Sequence, residues 1–189
     1  MIKAFAVAAS CFFVCVTGAF AGDAPLSVDA AKRFVASLES VKSLGEAREA
    51  EGKTKQLQFE MMPKAGEAFR PYSNSVAALK TQYPADYAKL RAAVKPHGFG
   101  AEEWGGVGDR VMVAYLARKM EKENPGAMAE MQSIDPSMLE MMPPEMKQQM
   151  LQAQAMMEAI SAASPQDKKV VAQVEDDLEA YMNAEAAAQ

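Results

Sequence analysis

Nine of the fifteen methionines fall in the thirty residues from Met128 to Met157. A thioether sulfur is soft and polarisable. It can ligate Cu(I), make an adaptable contact with an apolar partner, or fill a core. Met128 and Met131 are three residues apart, as are Met138 and Met141, and on a helix each pair lies on one side. The tetrapeptide Glu-Met-Met-Pro occurs twice, placing Met61-Met62 and Met141-Met142 at two proline corners. Met61, Met62, Met128, Met131, Met138, Met141 and Met142 are therefore the candidate Cu(I) or Ag(I) ligands. Against a dedicated copper sequence, no histidine lies among them and a repeated Met-x-Met spacing is lacking.

After Pro144 the pattern changes. Met146, Met150, Ala153, Met157 and Ile160 recur at helical spacing, with Lys147, Gln148 and Gln152 set against them. That predicts a core-facing stripe that happens to use methionine. Met128, Met131, Met138, Met141 and Met142 sit on shorter pieces broken by Pro136, Pro143 and Pro144. They are the candidate surface for a protein partner or an apolar ligand.

Other chemistry is sparse. His97 is the single histidine, so a Ser-His-Asp triad or a histidine-rich zinc site would have to be built on it. Its position beside glycines predicts a loop residue that bonds a helix end. Glu102 and Glu103 fall in a helical first turn, where carboxylates complement the helix dipole without catalysis. Gly105-Gly106-Val107-Gly108 is not a phosphate loop, because no strand precedes it. Small residues there predict close approach of another helix. Trp104 is expected as a core anchor. No catalytic residue and no cofactor are assigned, with Cu(I) as the alternative, and the chain is expected not to be an enzyme.

Lys3, the apolar run 4–16 and Ala19-Phe20-Ala21 follow the secretory signal pattern, so cleavage is expected after Ala21. Cys11 is a weaker lipoprotein site, since only seven residues separate it from Lys3. Cleavage leaves 168 of the 189 residues, removes both cysteines, and moves the net charge from −5 to −6. The product has no disulfide or thiolate, but is long enough for one sizeable core. Its acidic balance and lack of a basic block argue against nucleic acid. No later segment is apolar enough for a membrane span. The expected organisation is a signal peptide, 1–21, and one domain, 22–189, with a Met-rich, Pro-punctuated segment at 125–145. The expected location is the periplasm, and the sequence leaves the oligomeric state open.

The elements that must position these residues are helical throughout. Ala, Glu, Lys, Gln, Met and Leu dominate, and strand alternation is lacking. Ser27 should cap a helix whose stripe is Ala31, Phe34, Val35, Leu38, Val41 and Leu44, ending or interrupted at Gly45 or Gly52. A short helix is expected over 65–69. Ser73 or Asn74 should cap the next, and Pro84 should open another. The stretch 101–123 carries an apolar middle, Val111 to Ala117, and is expected as the buried central helix of the bundle. Further pieces follow Asn124-Pro125-Gly126, Asp135-Pro136 and Pro144. The last helix should start at Ser164-Pro165 and bury Val170, Val171, Val174, Leu178 and Tyr181, with Glu175, Asp176, Asp177 and Glu179 largely solvated. The fold class is all-α, an irregular bundle of about five to seven helices around 101–123.

The stretch KPHGFGAEEWGGVGDRVMVAYLARKM, Lys95 to Met120, resembles a segment of small secreted helical proteins of proteobacteria, a family without an assigned function. The shared pattern is His-Gly-Phe, Glu-Glu-Trp, then Gly-Asp-Arg-Val before an apolar helix. The SPQDKKVV opening of the last helix is also similar. The resemblance implies an all-α fold and a Gram-negative periplasm. It carries no site residues, and the methionine run is not part of it.

Overall fold

The computed structural model describes residues 25–52, 68–126 and 142–187. Among these there are seven α-helices and no strand, so the all-α bundle expected from composition is what forms. The helices are α1 (Val28–Ala50), α2 (Pro71–Gln82), α3 (Pro84–Val94), α4 (Ala101–Glu123), α5 (Pro144–Ser161), α6 (Pro165–Val171) and α7 (Glu175–Ala187).

Local chemistry sets most boundaries. The Ser27 hydroxyl accepts the Ala30 N–H at 3.1 Å and starts α1. The helix runs through Gly45 and stops at Gly52, whose φ of 71° is left-handed. Pro84 occupies the first turn of α3. A 3-10 turn, Lys95–His97, and a left-handed Gly98 then reverse the chain into α4. Phe69, at the end of the expected 65–69 helix, is non-helical, and residues 65–67 lie outside the described residues.

Two boundaries differ from expectation. The helix expected to start at Ser73 or Asn74 starts at Pro71, with no cap from a local side chain. Its cap comes from α4 instead. The Asp109 carboxylate accepts the N–H of Tyr72 at 2.7 Å and of Ser73 at 3.3 Å. The last helix is likewise two, α6 and α7, joined by a tight turn over 172–174. Val170, Val171, Val174 and Leu178 are buried as expected, and Tyr181 is partly buried against the same core. Glu175, expected on the solvated side, is buried, because it opens α7 against two cations of α4.

The core is assembled on α4, which packs against α1, α2, α3, α5 and α6. Trp104, Val111, Ala114 and Tyr115 of α4 meet Phe34 and Leu38 of α1, Val76 and Leu79 of α2, and Val171 of α6. Phe34, Tyr72 and Trp104 form a three-ring cluster with centroids 5.3–5.5 Å apart, two of the pairs edge-to-face. The Trp104 Nε1–H donates to Ser37 Oγ at 2.7 Å, and Ser37 Oγ–H donates to the Phe34 carbonyl at 2.6 Å. The buried indole and hydroxyl are thereby both satisfied.

Glycine makes this closeness possible. A Cβ on Gly108 would stand 2.7 Å from Phe34 Cε2 and 2.8 Å from Tyr72 Cγ. One on Gly105 would meet the Ser73 Cα at 3.2 Å, whereas Gly106 faces open space. The expectation that this small-residue run admits a neighbouring helix therefore holds for Gly105 and Gly108. The central helix is not enclosed all round, however. Met112, Val113 and Leu116 are only half-buried, so the cover at Gly105, Gly108 and Asp109 thins two turns later.

Ion pairs fix the flank of α4 against α6 and α7. Arg110 donates twice to Asp167, Nε to Oδ2 at 2.9 Å and Nη2 to Oδ1 at 2.6 Å. Arg118 and Lys122 both hold Glu175, at 2.7 Å each. Lys168 reaches back to Glu121 at 2.7 Å. The bidentate Arg110–Asp167 fork sets register as well as charge.

Candidate functional site

Of the methionines proposed as a binding surface or as metal ligands, Met142 lies within the described residues and is half-buried at the entry to α5. Met61, Met62, Met128, Met131, Met138 and Met141 lie outside the described residues. The signal segment 1–21 and Cys11 lie outside them too. What can be built is the helix that follows.

Pro143 precedes α5 and Pro144 takes its first turn, so proline sets the entry angle with no side-chain cap. Residues 143–149 are all exposed. Burial begins only in the second half, where Ala155 and Ile160 are buried. Neither belongs to the main core cluster. Ile160 instead sits beside Ala117, Met120 and Pro125 at the C-terminal end of α4, around a crevice of about 30 Å³. Among the described residues, α5 is thus held at one end.

This corrects the expected burial of its stripe. Met146, expected to face the core, is 55% exposed and is the exposed large hydrophobic side chain among the described residues. Met150, Ala153 and Met157 are half-buried. The physical reason is position along the axis. At 100° per residue, Ile160 lies within about 40° of Met146, on the same stripe, but about 21 Å further along α5 at a rise of about 1.5 Å per residue. The C-terminal end of α5 reaches Ala117 and Met120 of α4, so Ile160 is buried as expected, while Met146 near the other end stays at the rim, with Met150, Ala153 and Met157 between. The result is a continuous soft apolar edge starting at the half-buried Met142.

His97 lies in the turn before α4 as expected, but it bonds the side of α1 rather than a helix end. Its Nε2 shares a hydrogen bond with Ser40 Oγ at 3.0 Å, and its carbonyl accepts Arg33 Nη1 at 3.0 Å. The Arg33 guanidinium also lies over the face of the Phe99 ring, 4.5 Å from the centroid. This places Arg33 and His97 as a clasp between α1 and the turn before α4. Glu102 is held down to about 2 by hydrogen bonds from Lys80 Nζ and then Tyr87 Oη, at 2.7 and 2.8 Å. It ties α4 to α2 and α3 as a permanent carboxylate. Among the described residues, no group of three or more His, Cys, Asp or Glu side chains converges on a point where a metal ion could sit.

A concavity of about 430 Å³ is shallow and open beside the N-terminus of α4. Arg91 and Lys95 line it over Phe99.

The Gly-Asp-Arg-Val stretch of α4 and the Ser-Pro-Gln-Asp opening of α6 acquire structural roles. Gly108 is a close approach, Asp109 a cap, Arg110 an ion pair and Val111 core. In the second stretch, Ser164 Oγ accepts the Asp167 N–H at 3.0 Å, and Asp167 binds Arg110. The two motifs meet each other. Sequence reasoning missed this pairing, as it missed the Asp109 cap, since neither partner is local. The only available signal was an arginine and an aspartate within otherwise apolar or capping patterns. No family model, curated protein or solved structure matches the chain.

Proposed function

We propose that the chain is a non-enzymatic binding or accessory protein of the periplasm, and that the methionine edge leading into and along α5 receives an apolar surface of a partner or ligand. The observation that carries this reading is Met146, 55% exposed on a helix that, among the described residues, is anchored at its far end, while the other large hydrophobic side chains among them are at least partly covered. Thioether side chains are flexible and polarisable, so an exposed row of them adapts to partners of differing shape. The signal-like N-terminus and the resemblance to secreted proteobacterial proteins support the location. No helix among the described residues is long and apolar enough to cross a membrane.

The test uses the full chain and a leucine-rich amphipathic helical peptide as probe, followed by fluorescence anisotropy. Saturable binding is expected. It should weaken at least about tenfold, or 1.4 kcal/mol, in Met146→Glu/Met150→Glu with helicity by circular dichroism unchanged. Equal affinity of the two chains, or no binding by the native chain, overturns the proposal. Anaerobic Cu(I) titration with native mass spectrometry separates the alternative, in which the same sulfurs hold Cu(I) or Ag(I).

A further inference from the structure

Arg48 occupies the last turn of α1 and is 4% exposed. Its Nη1 donates to Asp86 Oδ2 at 2.6 Å. The guanidinium carbon lies 4.3 Å from the centroid of the Tyr83 ring, so one face of the group is covered by an aromatic. The remaining edge is different. Nε and Nη2 are both buried and, among the described residues, both lack a hydrogen-bond partner. In the planar guanidinium, the Nε–H and one Nη2–H point the same way and form a two-pronged fork matching the two oxygens of a carboxylate.

The chemistry of this edge is unbalanced. A buried unpaired donor loses its water without replacement, and the cost is greater for a charged group. Here two such donors lie side by side on one cation. Asp86 supplies one carboxylate to the cation, but it is shared with Lys89 Nζ at 3.4 Å, so its charge is divided. A helix C-terminus also attracts a cation, which explains the presence of Arg48 but not the orientation of its open fork. Arg110 provides the internal comparison: there the same Nε and Nη2 edge is filled by both oxygens of Asp167.

We propose that the Nε–Nη2 edge of Arg48 is the anchor of a carboxylate-binding site, whose ligand is a small organic carboxylate. Asp86 fixes the guanidinium from the opposite side, Tyr83 covers its face, and the ligand carboxylate completes the fork as Asp167 completes that of Arg110. The edge is closed to bulk water, so entry requires opening of the α1 end, the part of a helix that frays most readily. This site is separate from the methionine edge and does not depend on it.

The test is a titration of the full chain, ¹⁵N-labelled, with acetate and with succinate. Chloride holds the ionic strength at about 0.1 M, where long-range charge effects are largely screened. The Arg48 Nε–H resonance is read directly. It should shift downfield saturably and exchange more slowly with water, and the melting temperature should rise with carboxylate but not with chloride. Arg48→Lys should bind at least about tenfold more weakly, because an ammonium offers no fork. An Arg48 Nε–H signal unmoved by either carboxylate, or moved equally by chloride, overturns the proposal. Since that signal belongs to the native chain, the outcome stands even where Arg48→Lys does not fold.

Discussion

The body around α4 and the methionine-bearing α5 are built from similar helical patterns and behave oppositely. In the body, Gly105 and Gly108 bring backbones into contact, three rings interlock, and Arg110, Arg118 and Lys122 bind fixed carboxylates. Each device works in one register only. In α5, Ala155 and Ile160 are buried while a soft stripe lies along the rim. The difference teaches that periodicity shows that a helix has an apolar face, but not that the face is covered. Cover depends on whether a shape-specific neighbour exists, and methionine demands none.

The sharpest way to break this contrast is Gly108→Ala. The new Cβ would overlap two rings that cannot move independently, so a loss of about 3 kcal/mol is expected by urea unfolding. Unchanged stability would mean that the body is as adaptable as α5.

Next comes Asp109→Ala, which removes the cap of α2 and should cost about 1–2 kcal/mol. Asp109→Asn keeps an acceptor and should cost less. It also tests the acid response. Burial pushes the Glu175 and Asp86 carboxyls up, but Lys122 with Arg118, and Lys89 with Arg48, outweigh it and hold both below the usual carboxylate range. Their contribution is full above that range and is lost as pH falls through the lowered folded values. Asp109 has the opposite sign. Burial raises it beyond what its hydrogen bonds to Ser73 and Tyr72 offset, so reprotonating it in acid favours the fold. Stability of Asp109→Asn should therefore fall more steeply than that of the native chain between about pH 6 and pH 3, as read by denaturation at each pH. Parallel curves would remove Asp109 from the acid response.

Gly106→Ala sharpens the contrast from within α4. Its Cβ meets nothing within 4 Å, so the helix should gain about 0.5–1 kcal/mol, seen as a raised melting temperature. The smallest effect belongs to α5. Met146→Gln should change stability by less than about 0.5 kcal/mol. A larger loss would show that the methionine edge serves the chain's own packing.

The legible part of the molecule was whatever is encoded locally. Ser27 as a cap, Pro84 and Pro165 as first-turn residues, and α4 over 101–123 follow from neighbouring residues. The close approach at Gly105 and Gly108 was also readable, because only glycine admits it. The start of α2, the break between α6 and α7 and the burial of Glu175 were not readable. Each depends on a partner far along the chain: Asp109 for α2, Arg118 and Lys122 for Glu175. The methionine stripe of α5 was legible as a stripe but not in its cover, since burial along it is decided at the far end, where Ile160 meets Ala117 and Met120 of α4.

The cap on α2 has a consequence for how the chain comes into being. The residue that starts this helix is made 37 positions after the helix it starts. Trp104, which completes the ring cluster, comes equally late, and the partner of Arg110 later still. A polypeptide made N-terminus first can bring α1, α2 and α3 together, but it lacks the α2 cap and the third ring until α4 is present. The body around α4 therefore closes only once the second half has emerged.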